Sequence, residues 1–166
     1  MIYRPILIVT CLFGYLSMTA QANDDAIRQT VLSKNIVNKE YTFGKWNENG
    51  GTETHLKYLG TVKTKAGEKF KIITSSLHWG LSHHATSKIL IYTASNKYYG
   101  RYPVYGLTDL PEKLENGFLI FTNIDERDCD KNIITKVDFR NELPKEFFIT
   151  CKGKDGDLYY FTFEDN

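Results

Sequence analysis

The sequence predicts a mainly β domain, an antiparallel meander closed as a barrel or folded as a sandwich, with one short N-terminal helix. Three observations support this fold class. Apolar and polar residues alternate along most of the chain. Short turn sequences rich in glycine, asparagine and aspartate separate the alternating segments. Helical spacing is confined to one segment. The chain has 166 residues, a length that suits one domain with a single core.

The N-terminal segment has the three parts of a secretory signal peptide. A short start with one positive charge, Arg4, precedes an almost wholly apolar run over residues 6–16, and Ala20-Gln21-Ala22 supplies a small-x-small cleavage site. The apolar run is shorter than the about 20 residues that a membrane-spanning helix needs. We therefore expect residues 1–22 to be removed. Residues 23–166 are then one exported domain, periplasmic or secreted, without an integral membrane segment.

The charge balance argues against a polyanionic partner. Cleavage removes Arg4 and no acidic residue, which leaves 20 basic and 20 acidic residues in the mature chain. The sequence has no basic stripe that could neutralise several phosphates in a row, and it therefore predicts no nucleic-acid partner. It also has no basic amphipathic helix suited to a membrane surface.

The helix is predicted over residues 24–37. Ile27, Val31 and Leu32 recur there at helical intervals. The acidic pair Asp24-Asp25 stands at the start, where the helix dipole favours negative charge.

About eight or nine strands are predicted after the helix. The first two flank a turn at residues 65–68, which is a hairpin signature, and the last two flank a tight turn at residues 154–157. Residues 88–94 are more continuously apolar, which indicates a deeply buried strand. The segments cover residues 56–63, 69–72, 88–94, 98–105, 118–121, 133–139, 145–151 and 158–163.

Two cysteines remain after cleavage, Cys129 and Cys151. An even number of cysteines in an exported chain predicts a disulfide. The strands at 133–139 and 145–151 have turn residues between them, so we expect a hairpin whose open end the disulfide closes. A catalytic thiol or a metal pair would require the reduced form.

The strand at residues 98–105 is a candidate surface for a protein partner. Tyrosine and arginine are enriched at the centres of protein interfaces. Pro103 lacks an N–H for a neighbouring strand, so an edge or bulge position is expected. Alternating tyrosines would equally fit an ordinary strand surface. The residues assigned to partner binding are Tyr98, Tyr99, Arg101, Tyr102 and Tyr105.

Three of the four histidines, His78, His83 and His84, lie close together in the sequence. Neutral imidazoles bind zinc and copper, so these three are a candidate metal site, with His55 as a further ligand from a neighbouring strand. The spacing is not that of a recognised site, and His83 and His84 would point in opposite directions on a strand. The alternative is a loop of solvated histidines around a packed tryptophan.

Two other motifs are incomplete. Gly80-Leu81-Ser82 lacks the second glycine of a nucleophile elbow and its α/β context, which disfavours a serine hydrolase. Asp128, Asp130 and Asn132 match the first ligands of an EF-hand, but Ile133 replaces the required glycine. A looser calcium loop and a solvated acidic turn are the two interpretations left.

The sequence contains no recognisable set of catalytic residues, and it therefore disfavours an enzyme. It favours an exported soluble binding protein that recognises another protein, for instance as an inhibitor or immunity-type protein. The alternative is a carrier of a small ligand or a metal, with a barrel interior or the residues His78, His83 and His84 as its site. Zinc or copper is the metal that such a site would take, and no other cofactor is expected.

Overall fold

The structure, a computed structural model, describes residues 16–124 and 129–163, with side chains from Asp24 onward. One helix and eleven strands lie within these ranges. They are α1 (Leu16–Lys34), β1 (Glu40–Asn47), β2 (Gly51–Lys63), β3 (Lys69–Trp79), β4 (His84–Thr93), β5 (Tyr98–Val104), β6 (Lys113–Glu115), β7 (Phe118–Thr122), β8 (Ile134–Asp138), β9 (Glu146–Lys152), β10 (Asp155–Tyr160) and β11 (Thr162–Phe163).

Six strands form one antiparallel sheet in the order β1-β2-β3-β4-β5-β11. The first five are neighbours in the chain as well as in the sheet, which confirms the meander. Residues that tolerate a positive φ occupy the turns, such as Gly67 (88°) between β2 and β3 and Asn96 (63°) between β4 and β5. Two smaller antiparallel sheets are β6-β7-β8 and β9-β10. The sheets do not close into a barrel. Of the two predicted architectures, the sandwich is therefore the one that agrees with the structure, and a barrel interior is excluded as a ligand site.

The two faces of the six-stranded sheet enter two separate cores. One face packs against α1, and the other packs against the two smaller sheets. Successive residues of β4 alternate between these cores: Ile89 and Ile91 face the smaller sheets, whereas Leu90 faces α1. A strand buried on both sides must be apolar at every position, which explains the continuous apolar run there.

The predicted helix is confirmed, although α1 begins at Leu16 and ends at Lys34. Asn35 ends it with a left-handed φ of 52° and donates its N–H to the carbonyl of Val31 at 3.3 Å. The predicted cleavage position after Ala22 falls inside this helix, and residues 1–15 of the predicted signal peptide lie outside the described residues. Within the described ranges, no helix has both the length and the apolar content of a membrane crossing.

The predicted hairpin between the strands that end near Phe139 and Cys151 is wrong. β8 pairs with β7, and β9 pairs with β10. The chain after β8 is tied elsewhere, because Phe139 donates its N–H to the carbonyl of Gly117 at 2.9 Å and Lys65 donates its N–H to the carbonyl of Arg140 at 2.7 Å. The alternation of apolar and polar residues predicted the strands β8 and β9 correctly, but the prediction that they pair with each other was incorrect.

The disulfide between Cys129 and Cys151 is confirmed, with the two Cα atoms 4.5 Å apart. It joins the segment before β8 to β9, and therefore links the two smaller sheets. Asp130 donates its N–H to the carbonyl of Cys151 at 2.8 Å. Nδ2 of Asn123 lies 2.9–3.1 Å from the carbonyls of Asp130, Thr150 and Cys151. The bridge thus sits in a hydrogen-bonded junction.

Candidate functional site

The face of β3 that points toward the smaller sheets changes character along the strand. Phe70 and Ile72 are buried in the core, and Thr74, Ser76 and His78 follow at the next alternate positions. Alternate residues of a strand share one face, so the apolar surface continues directly into a polar one. The polar part forms the floor of a cleft, which we term the histidine cleft.

The histidine cleft has a volume of about 540 Å³. Strands β1, β2 and β3 supply its polar floor. The segment between β5 and β6, and the end of β7 with the residues that follow, supply most of its apolar lining. The principal floor residues are Glu40, Glu53, His55, Lys57, Ser76 and His78, and the apolar residues are Leu107, Leu110, Pro111 and Ile124.

His55 lies between two carboxylates. Its Nε2 is 2.7 Å from Oε1 of Glu53, and its Nδ1 is 3.2 Å from Oε1 of Glu40. Burial of the ring opposes protonation, but hydrogen bonds to Glu40 and Glu53 outweigh it and raise the pKa of His55. The hydrogen bond from His55, helped by the N–H of Trp46, lowers the pKa of Glu53. Both ring contacts are hydrogen bonds together only in the imidazolium form.

His78 lies beside His55, but its pKa is shifted in the opposite direction. The centroid of its ring is 5.0 Å from that of His55 and 4.8 Å from that of His83. Burial, followed by repulsion from these two histidines, lowers the pKa of His78. Its Nε2 is 3.5 Å from Oγ of Ser76, and its buried Nδ1 has no hydrogen-bond partner in the described part of the chain. A neutral ring with an unpartnered nitrogen is available to a ligand.

The turn between β3 and β4 separates the two adjacent histidines. Gly80 and His83 have φ values of 71° and 52°. The ring of His83 stacks on Trp46 with 4.2 Å between centroids, and Nε1 of Trp46 donates to the carbonyl of Gly80 at 2.8 Å. The ring of His84 instead lies 5.2 Å from that of Trp79. His83 therefore lines the cleft and His84 does not.

The residues assigned to a metal are only partly brought together. His78 and His83 are in contact, His55 joins them from β2, and His84 lies apart. Among the described residues, no group of three or more histidine, cysteine, aspartate or glutamate side chains is arranged to hold a metal ion. The zinc or copper site stays a prediction.

For the looser calcium loop, Asp128 lies outside the described residues. Oδ1 of Asp130 accepts hydrogen bonds from the backbone N–H and Nδ2 of Asn132 at 2.9 and 3.0 Å. Asp130 thus stabilises its own turn, as the solvated-turn interpretation expects.

The five residues assigned to partner binding do not form one surface. Tyr102 is fully buried, where its hydroxyl donates to a backbone carbonyl at 2.6 Å and burial raises its pKa. Tyr98 is half-buried in the core beneath α1. Tyr99, Arg101 and Tyr105 are exposed, with 76% of Tyr105 accessible. Tyr102 therefore belongs to the core, and three of the five residues reach solvent.

Sequence reasoning missed Glu40, Glu53 and Ser76. One signal was present, because Thr74 and Ser76 interrupt an apolar alternation in a strand that should be buried. Glu40 could not be found in this way, since it reaches His55 only through the pairing of β1 with β2.

In comparisons with protein-family models, curated proteins and solved structures, the chain has no match. Its function is therefore inferred from its own residues. The histidine cleft combines carboxylates, hydroxyls and imidazoles beside an apolar wall, a composition typical of ligand sites.

Proposed function

We propose that this chain is an exported binding protein that holds a small organic cation, an amine with an apolar body, in the histidine cleft. The charge of the lining is the observation that carries the proposal. Three carboxylates, those of Glu40, Glu53 and Glu112, stand against one ammonium group, that of Lys57. A cleft lined by an excess of one charge concentrates ligands of the opposite charge.

The apolar wall supports an amine that has a hydrocarbon body. Leu107, Leu110 and Ile124 line the cleft together with the carboxylates. An amphipathic cation would place its ammonium group on the floor and its hydrocarbon part against these side chains. Burial of the hydrocarbon contributes about 0.8 kcal/mol for each CH₂.

His55 competes with such a ligand for the same carboxylates. When His55 is an imidazolium, Oε1 of Glu40 and Oε1 of Glu53 are both occupied by its ring. When it is neutral, the ring can donate only one hydrogen bond, and one of the two carboxylates becomes available to an ammonium group. Affinity for an amine should therefore increase as the pH rises through the raised pKa of His55.

The test uses three molecules of similar shape: butylammonium, butanol and butyrate. Isothermal titration calorimetry at pH 6 and pH 8 measures their binding to the protein. We expect butylammonium to bind more tightly at pH 8 than at pH 6, with butanol weaker and butyrate weakest. Preferential binding of butyrate, or butylammonium affinity that does not depend on pH, would count against the proposal.

Single variants identify the acceptors. Glu40→Gln and Glu53→Gln each remove one negative charge, and each should weaken butylammonium binding by about tenfold or more, the value of one hydrogen bond to a charged group. Glu48→Gln is the matched control, since Glu48 is exposed in the turn between β1 and β2 and does not line the cleft. An equal loss of butylammonium affinity in Glu48→Gln would show that the effect comes from the net charge of the protein and not from contacts in the cleft.

Export is the other part of the proposal. The disulfide and the N-terminal sequence pattern support it, because disulfides persist in oxidising compartments. Fractionation of its own source into cytoplasm, envelope and medium, followed by the intact mass of the protein in each fraction, tests it. We expect the mass of a chain that begins at Asn23. The mass of a chain that still contains residues 1–22 would contradict the proposal.

Recognition of a protein partner is the second candidate function. Its support is a groove lined by aromatic residues beside β5, in which Tyr105 and Tyr160 are 76% and 55% exposed. The ring of Tyr105 packs at a tilt against that of Tyr159, with 5.4 Å between ring centroids. Tyr105→Ser and Tyr160→Ser should abolish capture of a stoichiometric partner without loss of folding, and Leu81→Ser, in the exposed turn between β3 and β4, is the control. Unchanged capture would eliminate this groove as the interface.

A further inference from the structure

A second cleft lies at the other end of β2, eight residues along the strand from His55. The end of β2 forms it together with the turn that follows, the turn between β6 and β7, and Arg140, which lies two residues after β8. Its volume is about 520 Å³. We term it the Arg140 cleft. Its lining residues include Lys63, Thr64, Lys65, Gly117 and Arg140.

The Arg140 cleft is basic, in contrast to the histidine cleft. Lys63, Lys65 and Arg140 line it, and none of the lining residues carries a carboxylate. One carboxylate, that of Asp138, pairs with Arg140 from outside the lining. Three cations therefore stand against one carboxylate, an imbalance that attracts an anion.

Arg140 is held in place before any ligand arrives. Its Nε and Nη2 donate to the two carboxylate oxygens of Asp138 at 2.9 and 2.8 Å. Its guanidinium lies 4.1 Å from the centroid of the Phe118 ring. Gly117 has a φ of 80°, and a Cβ added there would overlap Cγ of Arg140. A fixed guanidinium loses little conformational entropy when it binds an oxyanion.

Thr64 gives an independent indication of a ligand. It lines the Arg140 cleft and is only 3% exposed, yet its Oγ1 has no hydrogen-bond partner among the described residues. Its backbone N–H is already used, by the carbonyl of Glu68 at 2.9 Å. A buried hydroxyl without a partner is unfavourable, and an anion in the cleft would supply an acceptor.

We propose that the Arg140 cleft binds one tetrahedral oxyanion, a phosphate or sulfate group that is either free or carried as an ester on a larger molecule. Arg140 and the two lysines supply charge, and the hydroxyl of Thr64 donates a hydrogen bond. Guanidinium groups match the geometry of such oxyanions. One anionic group suffices here, so the site is compatible with the lack of a basic stripe for a nucleic acid.

Titration of the ¹⁵N-labelled protein with inorganic phosphate, sulfate and glycerol 3-phosphate tests the proposal. Sodium chloride at equal ionic strength is the reference. We expect saturable shifts of the amide signals of Lys65, Gly117 and Arg140 with the oxyanions and none with chloride. Tighter binding of glycerol 3-phosphate than of phosphate identifies an ester as the ligand, and the reverse order identifies the free anion. Shifts that chloride reproduces would overturn the site.

Two variants separate binding from folding. Thr64→Val removes a hydroxyl that has no partner among the described residues, so the melting temperature should not fall, whereas phosphate affinity should fall by about tenfold or more, the value of one hydrogen bond to a charged group. Lys65→Gln should weaken phosphate to a similar extent. Lys154→Gln, in an exposed turn away from the cleft, is the control for loss of one charge. Affinity unchanged by both cleft variants, or equal weakening by the control, would overturn the proposal.

Discussion

Removal of the disulfide should have a large and calculable effect on stability. Cys129 and Cys151 are 22 residues apart in the sequence. Closing a loop of this length reduces the entropy of the unfolded chain, and the chain-entropy relation gives about 3 kcal/mol at 25 °C. For a domain of this size, 1 kcal/mol corresponds to about 2–4 °C in Tm. The double variant Cys129→Ser/Cys151→Ser should therefore unfold roughly 10 °C below the parent protein.

Urea unfolding, followed by far-UV circular dichroism with and without reductant, measures this effect. The reduced parent protein should match the double variant, and the variant should not respond to reductant. The slope of the free energy of unfolding with urea should increase in the variant, because its unfolded chain is less compact. A loss below about 1 kcal/mol, or an unchanged slope, would refute the argument that the bridge acts mainly on the unfolded state.

Three further predictions concern single side chains. Tyr102→Phe removes the hydrogen bond to the carbonyl of Pro144, and chemical denaturation should show a loss of about 1 kcal/mol because a partly buried acceptor is left without its donor. The pKa of His55 is raised, so its contribution to stability is present below pH 6.5 and is lost as the pH rises through the folded pKa. The pKa of His78 is lowered, so its contribution to stability is present above pH 6.5 and is lost as the pH falls through the folded pKa. His55→Gln should therefore lose stability toward low pH relative to the parent protein, and His78→Gln toward high pH, in unfolding measured from pH 5 to pH 8; slopes of the same sign would contradict this. Hydrogen bonds from Arg140 lower the pKa of Asp138 from 3.8 to about 2, so this ion pair stabilises the fold above pH 3.8 and its contribution disappears as the pH falls to about 2. Acid unfolding of Asp138→Asn should lack that part of the transition.

The sequence predicted elements better than it predicted their partners. The hairpin of β2 and β3 was correct because its strands flank a short turn with a glycine at positive φ. The hairpin of β8 and β9 was wrong although both strands exist, because strand alternation carries no information about which edge a strand will join. Hydrogen bonds from Phe139 and Lys65 to distant segments decided that pairing.

The candidate sites depended even more on distant contacts. Tyr102 was assigned to a binding surface because tyrosine is frequent there, and the neighbouring packing of β9 and β10 placed it in the core instead. The loop with His78 and His83 was recognised, since both residues are near one turn. Its carboxylate partners were not recognised. Glu53 precedes His55 by two residues on the same face of β2, whereas Glu40 approaches His55 only through the pairing of β1 with β2.

The sequence by itself determined the β class, the single helix, the sandwich-or-barrel meander and the cysteine pairing. These features depend on local spacing and on the count of cysteines, both of which are properties of the linear chain. Only the tertiary structure decided against the barrel, moved Tyr102 into the core and assembled the histidine cleft and the Arg140 cleft. The period of a strand says which face a side chain occupies, whereas the packing of remote segments determines whether that face is covered, and with what.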